Sequence, residues 1–181
     1  MSSTFKFDTL LHMKQDLTTT LAILKSGMDV NTRNSLDRTP LFYQTDSEVI
    51  KALINAGADI NVKDCRGRTP ISFMKKEDSI HVLIIAGADL KTKDWNGDTP
   101  LHNCLIMSTS TSGIRELIKA GANVNTKNMF GRTPIFYTFR DQDIRYLIES
   151  GAKLDIKDSQ GILPEQFNFS LKFFLSRERK N

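Results

Sequence analysis

Five prolines constrain this chain more than any other feature. Pro40, Pro70, Pro100, Pro134 and Pro164 are separated by 30, 30, 34 and 30 residues. Gly27, Gly57, Gly87, Gly121 and Gly151 repeat the same intervals. A third comb, Gly67, Gly97, Gly131 and Gly161, stands three residues before a proline, with Asp37 in the corresponding place. Only Gly113 falls outside the frame. Three combs in one register define a repeat array. The frame extends to both ends: residues 8–12 parallel Asp98-Thr-Pro-Leu-His102, with Leu10 in the proline position, and Asn181 lies as far beyond Pro164 as Gly57 lies beyond Pro40. Six units are expected, at roughly 1–27, 28–57, 58–87, 88–121, 122–151 and 152–181, forming a single domain with no room for a second.

The residues of the frame have local meanings. Thr39, Thr69, Thr99 and Thr133 precede a proline that precedes apolar residues. Threonine caps a helix N-terminus through its hydroxyl, and proline suits the first helical position because its missing N–H has no intrahelical partner there. A second apolar-periodic segment, such as residues 48–54, stops at a glycine placed for a left-handed helix C-cap. A polar extended loop with its own turn glycine then leads to the next threonine. Each unit therefore reads as helix, turn, helix and projecting loop, in an all-α solenoid of stacked antiparallel helix pairs.

The segments Asn55-Ala-Gly-Ala-Asp-Ile-Asn-Val-Lys-Asp-Cys-Arg-Gly-Arg-Thr-Pro70, Asp98-Thr-Pro-Leu-His102 and Ala120-Gly-Ala-Asn-Val-Asn-Thr-Lys-Asn-Met-Phe-Gly-Arg-Thr-Pro134 resemble the ankyrin repeat. The resemblance covers about residues 9–181. It implies hairpin-like loops projecting to one side and a concave face for a protein partner. It also implies a structural, hydrogen-bonding role for His12 and His102. The family period is about 33 residues. Here three residues are missing between proline and helix-ending glycine, about one helical turn. Phe42, Tyr43, Phe73, Phe136 and Tyr137 occupy this shortened segment, either filling the lost space or lining the groove. The fourth unit has four extra residues, expected as a flexible loop within residues 107–113.

In the last unit Leu163 replaces the capping threonine, which forfeits about 1 kcal/mol if nothing else caps the helix. Phe167, Phe169, Phe173 and Phe174 then crowd ahead of a basic tail. They are expected to bury against the fifth unit or to dock a partner.

Composition narrows the function. The 181 residues carry a net charge of +4 with both signs interspersed, so nucleic acid is not indicated as a partner. No apolar run approaches the roughly 20 residues that span a bilayer, and no signal-type apolar region opens the chain. Cys65 and Cys104 form no disulfide framework, which fits a reducing cytoplasm (the host cell's, if the source is a virus or intracellular pathogen). His12, His81, His102 and the two cysteines are scattered over different units, without the converging ligands of a metal site. The glycines are explained by turns rather than by a phosphate cradle. No enzyme activity, cofactor, metal or small-molecule substrate is expected.

One charge pattern remains. Arg33, Lys63, Lys93, Lys127 and Lys157 stand seven residues before the prolines; Arg38, Arg68, Asp98 and Arg132 stand two before. With layers about 8–10 Å apart, these form a ladder of cations along the loops. Asp64, Asp94 and Asp158 follow basic residues and offset them. The loop tips carry Ser35, Cys65, Trp95, Met129 and Ser159, with Phe130 beside Met129. An aromatic patch with a charged rim is the composition of a binding hot spot. The expected partner-binding residues are therefore Trp95, Met129, Phe130, Arg38, Arg66, Arg68, Lys93, Lys127 and Arg132. The chain is expected to be a monomeric, non-catalytic protein-interaction module: an adaptor, inhibitor or effector. The alternative is substrate recruitment to a ubiquitin ligase, because residues 163–175 resemble the F-box-like segment of some poxviral ankyrin proteins.

Overall fold

The structure, a computed structural model, describes residues 16–107 and 110–178. Residues 8–12 with His12, Ser108 and Thr109 of the insertion, and the tail residues Arg179 and Lys180 lie outside these. Among the described residues the regular structure is wholly helical. In chain order the α-helices are α1 (Leu17–Lys25), α2 (Ser47–Asn55), α3 (Glu77–Ile85), α4 (Pro100–Ile106), α5 (Thr111–Lys119), α6 (Asp141–Glu149), α7 (Pro164–Phe167) and α8 (Phe169–Glu178). Single 3-10 turns stand at Pro40–Tyr43, Pro70–Phe73 and Pro134–Tyr137.

Helix α2 shows why the second segments are helical. Asp46 caps its start, accepting from the Glu48 and Val49 amides at 2.8 and 3.4 Å. Val49, Ile50 and Leu53 fall on one face and are buried. Gly57 takes a left-handed backbone, and the Ala58 amide returns to the Leu53 carbonyl at 3.0 Å. Leu83, Leu117 and Leu147 close their helices in the same way through Ala88, Ala122 and Ala152. These four leucines are fully buried, while the following isoleucines, Ile54, Ile84, Ile118 and Ile148, only lean on the core.

The first segments depart from expectation. After Pro40, Pro70 and Pro134 they are one 3-10 turn, not a helix, because the missing residues leave room for a single turn after proline. The last unit has a four-residue α-helical turn, α7, and the 34-residue unit builds a longer first helix, the seven-residue α4. Most of its extra length extends that helix rather than the loop, and Ser110 caps α5 by accepting from the Gly113 amide at 3.2 Å. Residues 110–113 are thus a helix start, not a flexible loop.

Each projecting loop is knotted by one side chain. Asp64 Oδ1 accepts from the amides of Arg66 and Arg68 at 2.9 and 3.0 Å. Asn34, Asp94, Asn128 and Asp158 do the same in their loops. The tips then join in series: Cys65 to Leu36, Trp95 to Arg66, Met129 to Asn96 and Ser159 to Phe130, each amide donating to the preceding loop's carbonyl at 2.8–3.0 Å. Asn31, Asn61 and Asn125 clamp the next unit by holding its backbone with both amide atoms. Lys91 occupies this position in the fourth unit and makes no such clamp.

At the ends, Thr20 is buried and bonds to the Asp16 carbonyl, while Leu17 and Leu21 are exposed. At the other end Gln166 Oε1 accepts from the Leu163 amide at 2.8 Å, as His102 Nδ1 accepts from the Thr99 amide at 3.2 Å. Leu171 and Phe174 are buried, Arg177 pairs with Asp141, and Arg145 pairs with Glu178, tying α8 to α6.

Candidate functional site

The loop-bearing face is built from three columns of residues: the loop-knotting Asp or Asn, the residue two before proline, and the residue three after it. Asn34 and Asn128 donate to the phenols of Tyr43 and Tyr137 at 2.8 and 2.9 Å. Asp64 and Asp158 stand with Phe73 and Phe167, and each receives an arginine from the preceding unit. Arg38 Nε lies 3.1 Å from Asp64 Oδ2 with its guanidinium 4.4 Å from the Phe73 ring centre. Arg132 Nε lies 3.1 Å from Asp158 Oδ2 and 3.8 Å from the Phe167 centre. A cation with a carboxylate and a ring face combines ion pairing with cation–π attraction.

These contacts correct the expected ladder. Arg38, Arg68 and Arg132 are half-buried links within the stack, not a free cationic rim. Asp64 and Asp158 offset these arginines rather than their sequence neighbours. Burial pushes the Asp64 carboxyl up, but Arg68, the Arg68 and Arg66 amides and Arg38 outweigh it and hold it below the usual range. Asp158 is held low likewise, with the Ile162 and Gln160 amides and Arg132 outweighing burial. The exposed ladder is the other set: Lys93 Nζ reaches the Lys127 carbonyl at 2.8 Å and Arg33 reaches that of Lys63 at 3.4 Å. Arg66 is exposed.

The aromatic question divides by position. Phe42 and Phe136 are buried filler; Tyr43, Phe73 and Tyr137 line the loop face under arginine or amide groups. His102 stands in the fully buried position. Its Nδ1 accepts from the Thr99 amide and meets the Thr99 hydroxyl at 3.2 and 2.8 Å, which leaves Nε2–H to donate to the Arg132 carbonyl at 3.2 Å. Burial lowers its pKa to about 4, so it is neutral near pH 7.

The loop tips are open to solvent. Trp95 is 72% exposed, Met129 73% and Phe130 47%. Trp95 lies over Gly67 of the preceding loop and Met129 over Gly97. Beside Trp95 lies a pocket of about 340 Å3 whose wall includes Arg66, Arg68, Asp94, Asp98, Asn103 and Ile106. The last four were not expected as site residues. The sequence signal of two of them is the break they make: Asp98 where Arg38, Arg68 and Arg132 stand in three other units, and Asn103 where Tyr43, Phe73, Tyr137 and Phe167 stand. A groove of about 560 Å3 runs between α2 and α3, with Ile85 exposed along it. Among the described residues no three His, Cys, Asp or Glu side chains gather as a metal site, and no helix is long and apolar enough to cross a membrane.

Residues 71–158 match the family model for ankyrin repeats, in three copies. The chain carries ankyrin repeats. The matched span includes α3 to α6 and the loops bearing Trp95, Met129 and Phe130, and the sequence frame extends beyond it on both sides. The comparison with curated proteins returned no match. An ankyrin array is a protein–protein interaction module, so the unexpected pocket and the exposed tips lie on a scaffold of the right kind.

Proposed function

We propose that this ankyrin stack binds a protein partner through its loop-bearing face, anchored by Trp95, Met129 and Phe130. Lys93, Lys127 and Arg66 supply the exposed rim, and Arg132 supports Phe130 from 5.7 Å. The observation that carries this reading is large apolar side chains exposed on consecutive tips whose backbone is held unit to unit. Trp95 and Met129 donate their amides to the preceding loop at 3.0 and 2.8 Å while their side chains remain in solvent. Such anchors bind with little ordering cost. The module acts without catalysis, as a monomeric adaptor, inhibitor or effector in a reducing cytoplasm where Cys65 and Cys104 stay free. Replacing Trp95, Met129 and Phe130 together by Ser is expected to weaken the natural partner, isolated by affinity purification, at least roughly tenfold with little change in unfolding midpoint. A lower midpoint with normal binding by the folded fraction would assign these residues to loop packing instead.

The ligase reading of residues 163–175 needs their apolar side chains presented together. Leu171 and Phe174 are instead committed to packing, and Phe169 and Phe173 face solvent. Absence of binding to a ligase adaptor subunit, with the last unit folded, removes that reading.

A further inference from the structure

Two steps of the stack hold an arginine between a carboxylate and a phenylalanine, and a third step has the carboxylate without either companion. By the frame, Arg68 should reach Asp94 as Arg38 reaches Asp64. It turns back instead, placing Nη2 2.9 Å from Asp64 Oδ2 and its guanidinium 4.6 Å from the Phe73 centre. The reason is Asn103. It replaces the ring on which a forward arginine would lie, and its amide takes Asp94 Oδ2 at 3.1 Å. The slot left behind is the pocket beside Trp95.

We propose that this pocket receives an arginine side chain from an extended segment of the protein partner, its guanidinium bound by Asp94 and Asp98 and its stem held by Trp95 and Ile106. The stack's own arginines show that the architecture accommodates this group at the equivalent positions. Asp98 adds a second, independent indication. It is only 4% exposed, Asn128 donates to its Oδ1 at 2.7 Å, and its Oδ2 accepts no hydrogen bond from any described residue. That oxygen has no donor among the described residues and belongs to a residue lining the pocket, where an incoming guanidinium supplies donors in planar, paired form. Burial pushes the Asp98 carboxyl above its usual range; the Asn128 bond opposes this, and the Asp94 charge adds to it, so a cation is favoured there. Trp95 and Ile106, 72% and 44% exposed, provide apolar walls for the stem.

Trp95 is the only tryptophan, so its fluorescence reports the pocket directly in the full chain. The probes are capped tripeptides, alanine–arginine–alanine and its citrulline and glutamate counterparts. The arginine peptide is expected to give a saturable change at least roughly tenfold tighter than the citrulline peptide. Asp94→Asn and Asp98→Asn should abolish that preference; the frame already places Asn at positions 34 and 128, so the fold accepts the first. Asn103→Phe should abolish it with every charge kept, by restoring the ring and drawing Arg68 forward. Equal response to citrulline or glutamate, no saturable response, or a preference that survives all three variants overturns the proposal. The inference rests on the face being protein-binding. If that reading alone fails, the natural partner ignores the loop-tip triple variant while the tripeptides still discriminate; if the inference fails, discrimination is absent whatever the triple variant does.

Discussion

The hydroxyls of Thr39, Thr69 and Thr133 are buried without a hydrogen-bond partner, whereas Thr99 at the same frame position meets His102. The difference lies two residues after proline, where Phe42, Ser72 and Phe136 replace His102. An unpaired buried hydroxyl costs about 1–3 kcal/mol, and removing it can be neutral or favourable. Thr69→Val and Thr133→Val are therefore expected to hold or raise the urea midpoint, while Thr99→Val loses about 1–2 kcal/mol. Equal losses at all positions would contradict this account. His102 also sets a pH dependence. Its pKa in the folded state, about 4, is depressed from 6.5, so protons bind the unfolded chain more tightly. Its stabilising contribution is complete above pH 6.5 and drains away as pH falls toward about 4. Asp64 and Asp158, held low, add acid sensitivity below the ordinary aspartate range, and Asp98, held high, works in the opposite sense. His102→Gln should flatten the stability profile between pH 6.5 and 4; an unchanged slope in equilibrium unfolding would deny the histidine this role.

The two glycine combs serve different elements. Gly57 ends α2 with a φ of 90°, and an added Cβ there would meet nothing within 4 Å. Gly97 turns a loop with a φ of 73°, and an added Cβ would lie 2.8 Å from the Met129 amide nitrogen. Gly57→Ala therefore costs only the left-handed conformation, about 1–2 kcal/mol. Gly97→Ala adds a collision with the next loop's backbone and should cost more, with Trp95 fluorescence shifting as the tips separate. Identical midpoints for the two variants would show that the tips do not pack as closely as described. The same logic of limited space explains the first segments: three residues fewer than the family period shorten a helix to a single turn, 3-10 at Pro40, Pro70 and Pro134. The lengthened α4 then carries Ile106 and Asn103 to the pocket.

Across the whole molecule, stability depends on each interface between neighbouring units as well as on the units themselves. The Asn31, Asn61 and Asn125 clamps bridge three of these interfaces, each holding the backbone at both amide atoms. Lys91 leaves the step between the fourth and fifth units without one. Lys91→Asn is expected to add the clamp and raise the unfolding midpoint by about 0.5–2 kcal/mol. No gain, with the new side chain seen turned to solvent, would mean the longer fourth unit sets the two backbones out of reach.

Period, composition and turn chemistry were enough to establish the repeat frame, the all-helical class, the glycine C-caps and the buried leucine at each helix end. These follow from local rules: a left-handed turn calls for glycine, and an apolar stripe at helical spacing is buried. Asp37, at a φ of 56°, even shares the left-handed turn of the glycines whose place it takes. The exposed loop tips were legible for the same reason, since a tip has few neighbours to hide behind. What the linear frame could not decide was which charges remain free. Arg38, Arg68 and Arg132 look identical along the chain, yet two reach forward and one turns back. That choice depends on the residue three after the next unit's proline, phenylalanine in two cases and Asn103 in the third. Only stacking the units brings these positions together, because side chains some thirty residues apart compete for one carboxylate and one ring face at a single layer spacing.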